Sequence, residues 1–232
     1  MKYSHLLIDL DRTLWDFERN SEQTMRELFD KYELQKLCHA DFQTFFDAYH
    51  IINAGLWKAY NNGTLAKEVL YVSRFSMTLD HFGMTDTFAL GKQLGDYYVF
   101  ESPKKTALVP GTMELLRYLK AKGYTLSIVS NGFKEVQFEK MRTSGIDVFF
   151  DNVFLSDDIG WQKPHRPFFD HVLQRLHAQP SECVIIGDDI NVDIAGARNA
   201  GIDQIFCNFS GAKADFEPTH TVSELKSIME IL

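Results

Sequence analysis

Four short stretches of this chain follow apolar runs and end in side chains able to do chemistry. The first is "LLIDLD", where Leu6, Leu7 and Ile8 give way to Asp9 and Asp11, with Thr13 at the same spacing. Residues two apart on a strand share a face, so the two carboxylates would crowd one tip unless the chain is already turning there. Close carboxylates resist joint ionisation unless a cation accompanies them. A hard divalent ion such as Mg2+, bound through oxygen, would relieve the conflict. The other solution is a division of labour in which one carboxylate attacks and its neighbour moves protons.

The second stretch ends in "SNG", Ser130 to Gly132. A hydroxyl and free backbone N–H groups at a strand-to-helix junction suit a phosphate. The third, "GWQKPHRPFF", offers Lys163 before a proline, which favours an extended backbone there. A lysine so held would neutralise a carboxylate and a phosphate oxygen together. The fourth, "VIIGDDINVDIAGARNAG", follows Gly187 with Asp188, Asp189 and Asp193. Carboxylates there would hold a metal, or sit at a helix N-terminus that favours negative charge, the simpler reading of Asp189 and Asp193.

Taken singly, each stretch has an ordinary reading as a solvated turn or surface lysine. Their common placement changes that. In an open α/β sheet, ligands bind beyond the carboxyl ends of the strands, so one sheet would gather all four along one edge. The assembled set fits phosphoryl transfer through an aspartyl-phosphate. Asp9 attacks phosphorus, and Mg2+, Ser130 and Lys163 offset charge on the transferring group. Asp11 protonates the leaving oxygen and then activates the hydrolytic water.

The elements needed to position these groups are legible. "LLIDLD", "GYTLSIVSNG", "DNVFLSDDIG", "ECVIIGDD" and "GIDQIFCNFSG" read as buried strands. "PGTMELLRYLKAK", "KEVQFEKMRTSG", "HRPFFDHVLQRLH" and "NVDIAGARNAG" read as helices among them. That alternation predicts an α/β fold, a Rossmann-like core with a mostly parallel sheet flanked by helices. Between the first strand and the rest lies a segment of helical periodicity without a convincing strand. It includes "NSEQTMRELFDKYEL", with Asn20 and Ser21 as plausible N-caps, and "TLAKEVLYVSRFSMTLDHFG". The expected organisation is a catalytic core of residues 1–16 and 105–232 with an all-helical cap, 17–104, inserted after the first strand.

Composition narrows the function further. At 232 residues, 45% hydrophobic and with formal net charge -8, the chain suits a globular protein and argues against nucleic acid or an anionic membrane as partner. No apolar run reaches the length of a membrane span, and the N-terminal run is broken by Asp9 and Asp11, unlike a signal peptide. Cys38, Cys183 and Cys207 have neither metal-ligand spacing nor a pairing pattern, which predicts free buried thiols and a cytoplasmic protein. The 19 Phe are expected mainly in the core.

In order and in strand context, "DLDRT", "SNG", "KP" and "GDDINVD" resemble the four motifs of the haloacid dehalogenase-like hydrolase superfamily. The helical insert falls where that superfamily carries its C1-type cap. The resemblance implies Asp9 as nucleophile and Asp11 as general acid/base. It also implies Mg2+ held by Asp9, the backbone carbonyl of Asp11, and Asp188, with Asp193 supporting the metal or Lys163 and the share of Asp189 open. Asp11 favours a phosphatase over a dehalogenase, which needs no leaving-group acid. Arg12 departs from the superfamily's commoner glycine and is expected to point outward.

The extended stretch "DLDRTLWDFERNS" and the cap segment "LWKAYNNGTLAKEVLYVSRF" look more particularly like the pyrimidine 5′-nucleotidases of that superfamily. This implies a small phosphorylated substrate, a nucleotide such as UMP, dUMP or dTMP. Candidate substrate contacts are Trp15, Phe17, Trp57, Tyr60, Lys67 and Arg74, with Ser130, Asn131 and Lys163 on the phosphate. The alternatives are a phosphoglycolate or sugar-phosphate phosphatase, or a phosphoglucomutase, of the same superfamily. A receiver-like signalling module, which combines similar residues in a shorter chain, is the remote one. Oligomeric state is open.

Overall fold

The computed structural model describes residues 2–211, 213 and 215–232. The chain divides into two compact units, one running up to Phe17 and resuming as Thr106–Leu232, the other Glu18–Lys105.

The first unit is built on a six-stranded sheet in the order β3-β2-β1-β4-β5-β6, every pairing parallel. Its strands are β1 (His5–Ile8), β2 (Thr125–Ser130), β3 (Asn152–Leu155), β4 (Cys183–Gly187), β5 (Asp203–Cys207) and β6 (His220–Val222). Successive side chains of a strand point to opposite faces, and here both faces are apolar. Leu6, Ile8, Val184, Ile186, Leu126 and Ile128 face one side and join Leu115, Leu116, Leu119 and Ile228. Leu7, Ile185 and Val129 face the other and join Phe168, Phe169, Val172 and Ala197. This two-sided burial explains why the strands read as unbroken apolar runs. The three residues of β6 at the sheet edge are too few for the periodicity that revealed the others.

The chain order reverses at β1, whose neighbours are β2 and β4. The crevice beyond the carboxyl ends of β1 and β4 is therefore the topological switch point where such sheets bind ligands. Where the chain leaves and re-enters this unit, its two crossings are hydrogen-bonded together. The Asp16 N–H donates to the Ala107 carbonyl at 3.0 Å and the Val109 N–H to the Leu14 carbonyl at 2.9 Å.

The second unit is helical throughout its regular elements. It comprises the body of α1 (Phe17–Lys31), α2 (Leu34–Cys38), α3 (Phe42–Asn61), α4 (Lys67–His81) and α5 (Phe88–Glu101). Leu28, Phe45, Tyr49, Phe75, Leu79, Leu94 and Tyr98 form its core. Asn20 and Ser21 are not caps. The helix begins earlier, at Phe17, and both lie inside it and are buried, with the Ser21 Oγ accepting from the Tyr98 hydroxyl at 2.9 Å. Phe17 itself groups with the sheet unit, packed against its core and edge-on to Trp15. Lys105 groups with the helical unit, paired to Glu27 at 2.6 Å.

The first unit's remaining helices are α6 (Thr112–Ala121), α7 (Lys134–Thr143), α8 (Ser156–Ile159), α9 (Arg166–Leu176), α10 (Ala195–Asn199) and α11 (Ile228–Ile231). The fourth motif opens not into an α-helix but into a single π-helical turn, Ile190–Ile194, which α10 continues. Cys38, Cys183 and Cys207 are free and buried. Among the described residues no helix is long and apolar enough to cross a membrane.

Candidate active site

Asp9 is the residue after β1, and its N–H still bonds the Ile186 carbonyl of β4 at 2.9 Å. This fixes the carboxylate at the switch point. Its Oδ1 accepts from Lys163 Nζ at 2.8 Å, and its Oδ2 from Thr13 Oγ1 at 3.2 Å. The same hydroxyl lies 3.2 Å from Asp188 Oδ1. One hydroxyl proton serves one carboxylate at a time, so Thr13 cannot satisfy both together.

Lys163 is 1% exposed, and all three of its ammonium hydrogens are used. They go to Asp9, to Asp193 Oδ1 at 2.6 Å and to the Val129 carbonyl at 2.7 Å. Burial opposes its charge, but Asp193 and Asp9 outweigh that and raise its pKa. No donor is left over, and its contribution to an anion is charge unless it exchanges a partner.

Asp9, Asp188 and Asp193 each bring a carboxylate oxygen within 4.8 Å of the others. Burial pushes the pKa of Asp9 up, with Lys163 opposing and Asp193 adding to the rise. Burial also raises Asp188, reinforced by Asp9 and Asp193, and raises Asp193 against the pull of Lys163. Two buried carboxylates, Asp9 and Asp193, and the half-buried Asp188 cluster around the one buried ammonium of Lys163. That donor set is hard, oxygen-only and one cation short, which fits a divalent ion such as Mg2+. Gly187 makes the arrangement possible, because a Cβ there would meet Asp193 Oδ2 at 2.5 Å.

Asp189 stands apart. It is exposed and caps the π turn, accepting from the Asn191 and Val192 N–H groups at 2.8 and 3.0 Å. Its simpler reading is the one the structure displays.

Asp11 has a different environment. Its Oδ1 accepts from Lys140 Nζ at 2.5 Å and its Oδ2 from Gln137 Nε2 at 2.7 Å. Gln137 Nε2 also donates to Ser130 Oγ at 2.7 Å, linking the first motif to the second. Ser130 Oγ accepts again from the Gly132 N–H at 3.1 Å, so its own hydroxyl hydrogen is what remains for an anion. Lys140 is buried, with its ammonium 4.2 Å from the Trp15 ring centroid. Burial lowers its pKa, and Asp11 pulls against that shift. Gln137 and Lys140 were not singled out from sequence. Both fall on the buried side of α7, beside Val136 and Met141, which packing and not sequence reveals. Gly132 is part of the same design, since a Cβ there would lie 2.0 Å from Gln137 Nε2.

The Asn131 side chain clasps the Lys163 backbone, donating to its carbonyl at 2.8 Å and accepting its N–H at 2.9 Å. It positions Lys163. Trp15 is 1% exposed and walls Lys140. Arg12 is exposed in the left-handed region, φ 66°, its guanidinium 4.1 Å from the Phe17 ring centroid. Trp57 and Tyr60 pack edge-on at 5.5 Å, and Lys67 opens α4, half-buried. Arg74 is buried in the helical unit.

A parallel α/β sheet carrying an aspartate pair, a serine, a buried lysine and a carboxylate triad at its switch point defines a hydrolase of the haloacid dehalogenase type. Residues 3–201 match the haloacid dehalogenase-like hydrolase family. The chain is 30% identical to the putative HAD-hydrolase YfnB of Bacillus subtilis, over all of this chain and 96% of that one. A crystal structure of YfnB bound to magnesium superposes with TM-score 0.90 at 29% identity, covering 100% and 99% of the two chains. Pyrimidine 5′-nucleotidase PynA of Streptococcus pneumoniae is 31% identical over 100% of this chain and 96% of its own. A glyceraldehyde 3-phosphate phosphatase of Methanothermobacter thermautotrophicus is 41% identical over 46% of this chain and 47% of its own. The chain belongs to the haloacid dehalogenase-like hydrolase family and is an enzyme, a phosphoric monoester hydrolase. This sets aside the receiver-module alternative.

Proposed function

We propose that this enzyme hydrolyses pyrimidine nucleoside 5′-monophosphates such as UMP, dUMP and dTMP through an aspartyl-phosphate, with Asp9 as nucleophile and Asp11 as general acid/base. The observation that carries the chemistry is the unequal treatment of two aspartates two residues apart. Asp9 is locked against Lys163 among buried carboxylates, and Asp11 is held by Lys140 and Gln137. Such a separation of environments assigns separate roles to paired carboxyl groups.

An oxygen of Asp9 forms the bond to phosphorus as the bond to the nucleoside oxygen breaks. That oxygen takes its proton from Asp11. A water then attacks phosphorus and gives a proton to Asp11, and the bond to Asp9 breaks to release inorganic phosphate. Ser130 donates to a phosphoryl oxygen, and Lys163 keeps Asp9 and Asp193 apart and oriented. Asp9, Asp188 and the backbone carbonyl of Asp11 would hold Mg2+, with Asp193 beside them. Bound there, Mg2+ neutralises charge on the phosphoryl group.

The substrate class rests on full-length similarity to PynA. A second reading, a sugar-phosphate phosphatase, is favoured by the higher identity to the glyceraldehyde 3-phosphate phosphatase over its shorter span. Phosphate release from UMP, dTMP, AMP, phosphoglycolate and glyceraldehyde 3-phosphate separates the two. Higher kcat/KM on the pyrimidine nucleotides supports the first reading, and uniformly faster turnover of the sugar phosphates overturns it. Asp9→Asn is expected to lower kcat by on the order of 10⁴-fold or more, and full activity in that variant would sink the covalent route.

A further inference from the structure

Interior polar atoms of folded proteins almost always have hydrogen-bond partners. Among the described residues the helical unit departs from that rule on α3, at Tyr49, His50 and Asn53, and on α4, at Arg74. Arg74 of α4 is 4% exposed, and its Nε and Nη2 donate to nothing. The Tyr49 hydroxyl and Asn53 Oδ1, one turn apart on α3, are equally unpartnered and buried.

The guanidinium lies among rings, 4.9 Å from the centroid of Tyr98, 5.4 Å from Phe75 and 5.8 Å from Tyr71. Tyr49 packs at 5.0 Å on Phe75. Burial pushes the Tyr49 hydroxyl's pKa up, and the charge and close approach of Arg74, with that of the Tyr98 hydroxyl, pull it back. Cation–ring attraction is modest, whereas leaving a buried charge unpaired is costly. The rings alone do not explain why an arginine is kept here.

The unmet groups define their complement. Arg74 offers a fork of donors and asks for oxygen acceptors. Asn53 Oδ1 asks for an N–H. A carboxylate or phosphate would suit the arginine but would set oxygen against oxygen at Asn53. A planar imide alternates carbonyl, N–H and carbonyl, satisfying Arg74 and Asn53 together and leaving its second carbonyl for the Tyr49 hydroxyl. We propose that Arg74, Asn53 and Tyr49 form a ligand site in the helical unit that takes the imide edge of a uracil- or thymine-type ring. A carbonyl oxygen accepts from Arg74, and the ring N–H donates to Asn53. The proposal rests on the pyrimidine-nucleotide reading for its ligand class and adds the residues that distinguish the base.

Calorimetric titration of the full-length protein with uridine, cytidine and inorganic phosphate tests it. Cytidine presents a ring nitrogen acceptor where uridine presents an N–H, so it is expected to bind about tenfold or more weakly. Arg74→Gln and Asn53→Leu should each weaken uridine by about tenfold or more. Arg74→Lys, which keeps charge but loses the fork, should weaken it as well. If Arg74→Gln does not fold, Arg74→Lys and Asn53→Leu carry the test. Equal binding of uridine and cytidine, competition by inorganic phosphate, or uridine affinity indifferent to these substitutions would each overturn the proposal. UMP turnover with no discrimination by these residues removes this site and leaves the nucleotidase reading. Selective uridine binding without UMP turnover does the reverse.

Discussion

Two buried cations of this molecule have opposite surroundings. Lys163, in the sheet unit, has each of its hydrogens on a named oxygen. Arg74, in the helical unit, has a ring environment and two orphaned nitrogens. Burial is similar and satisfaction is not. A saturated cation holds the groups around it in place, which the proposed nucleophile and metal site would require. An unsaturated one keeps affinity in reserve for something that arrives later. On the roles proposed above, the contrast separates a region built for rigidity from one built for recognition.

The contrast can be broken most sharply by removing Lys163. Lys163→Met leaves Asp9 and Asp193 buried without their counter-charge, and denaturant unfolding should show a loss of about 3–5 kcal/mol. Unchanged stability would mean that the triad is not held as described. Divalent ions come next. In the ion-free protein the raised carboxylates of Asp9, Asp188 and Asp193 favour the fold at low pH, and that advantage is lost as pH rises through their elevated pKa values. Added Mg2+ should therefore raise Tm more at pH 8 than at pH 6. The stabilisation would be about 2.7 kcal/mol where the ion is at a hundredfold excess over its Kd, and chelation should reverse it.

Lys140→Met tests the second aspartate. Asp11 keeps Gln137 but loses its charge partner, and kcat should fall by roughly 10²-fold with little change in KM. Arg74→Met is the direct counterpart of Lys163→Met. Removing an unpaired charge in favour of an apolar side chain of similar length should change stability by less than about 1 kcal/mol, or increase it. A loss as large as that of Lys163→Met would show that Arg74 is already satisfied. The smallest effect is expected at Arg12. A glycine would relieve the left-handed backbone, worth about 1–2 kcal/mol, but would forfeit the stack on Phe17 and gain chain entropy on unfolding. The net shift in Tm should be a few degrees at most.

The sequence was most readable where chemistry follows a buried strand. Leu6 to Ile8 and Cys183 to Gly187 are apolar on both faces, so Asp9 and Asp188 stand out as the first polar residues beyond them. Helix-borne members of the site were hidden. Gln137 and Lys140 sit in a stretch whose composition suits a solvent-facing helix, and only three-dimensional packing shows that Trp15 covers Lys140. Arg74 was visible as a candidate, but its lack of partners is a property of packing and not of spacing. Helix α5 was not distinguished, because Gly91 and Gly95, with the exposed Phe88 and Phe100, blur its periodicity. The hold of Asn131 on the Lys163 backbone, and of Lys163 on Asp9, joins residues 32 or more positions apart and could not be read from spacing.

The two backbone hydrogen bonds that join Leu14–Asp16 to Ala107–Val109 also bear on the protein's history and its engineering. Whatever lies between those crossings is, to the sheet, a loop whose ends are already pinned. Closure entropy grows only with the logarithm of loop length, so the sheet is largely indifferent to what is threaded through that staple. A longer, shorter or differently folded insert can be exchanged there while the strand ends keep their register. Reaction and selectivity can in this way change independently along one continuous chain.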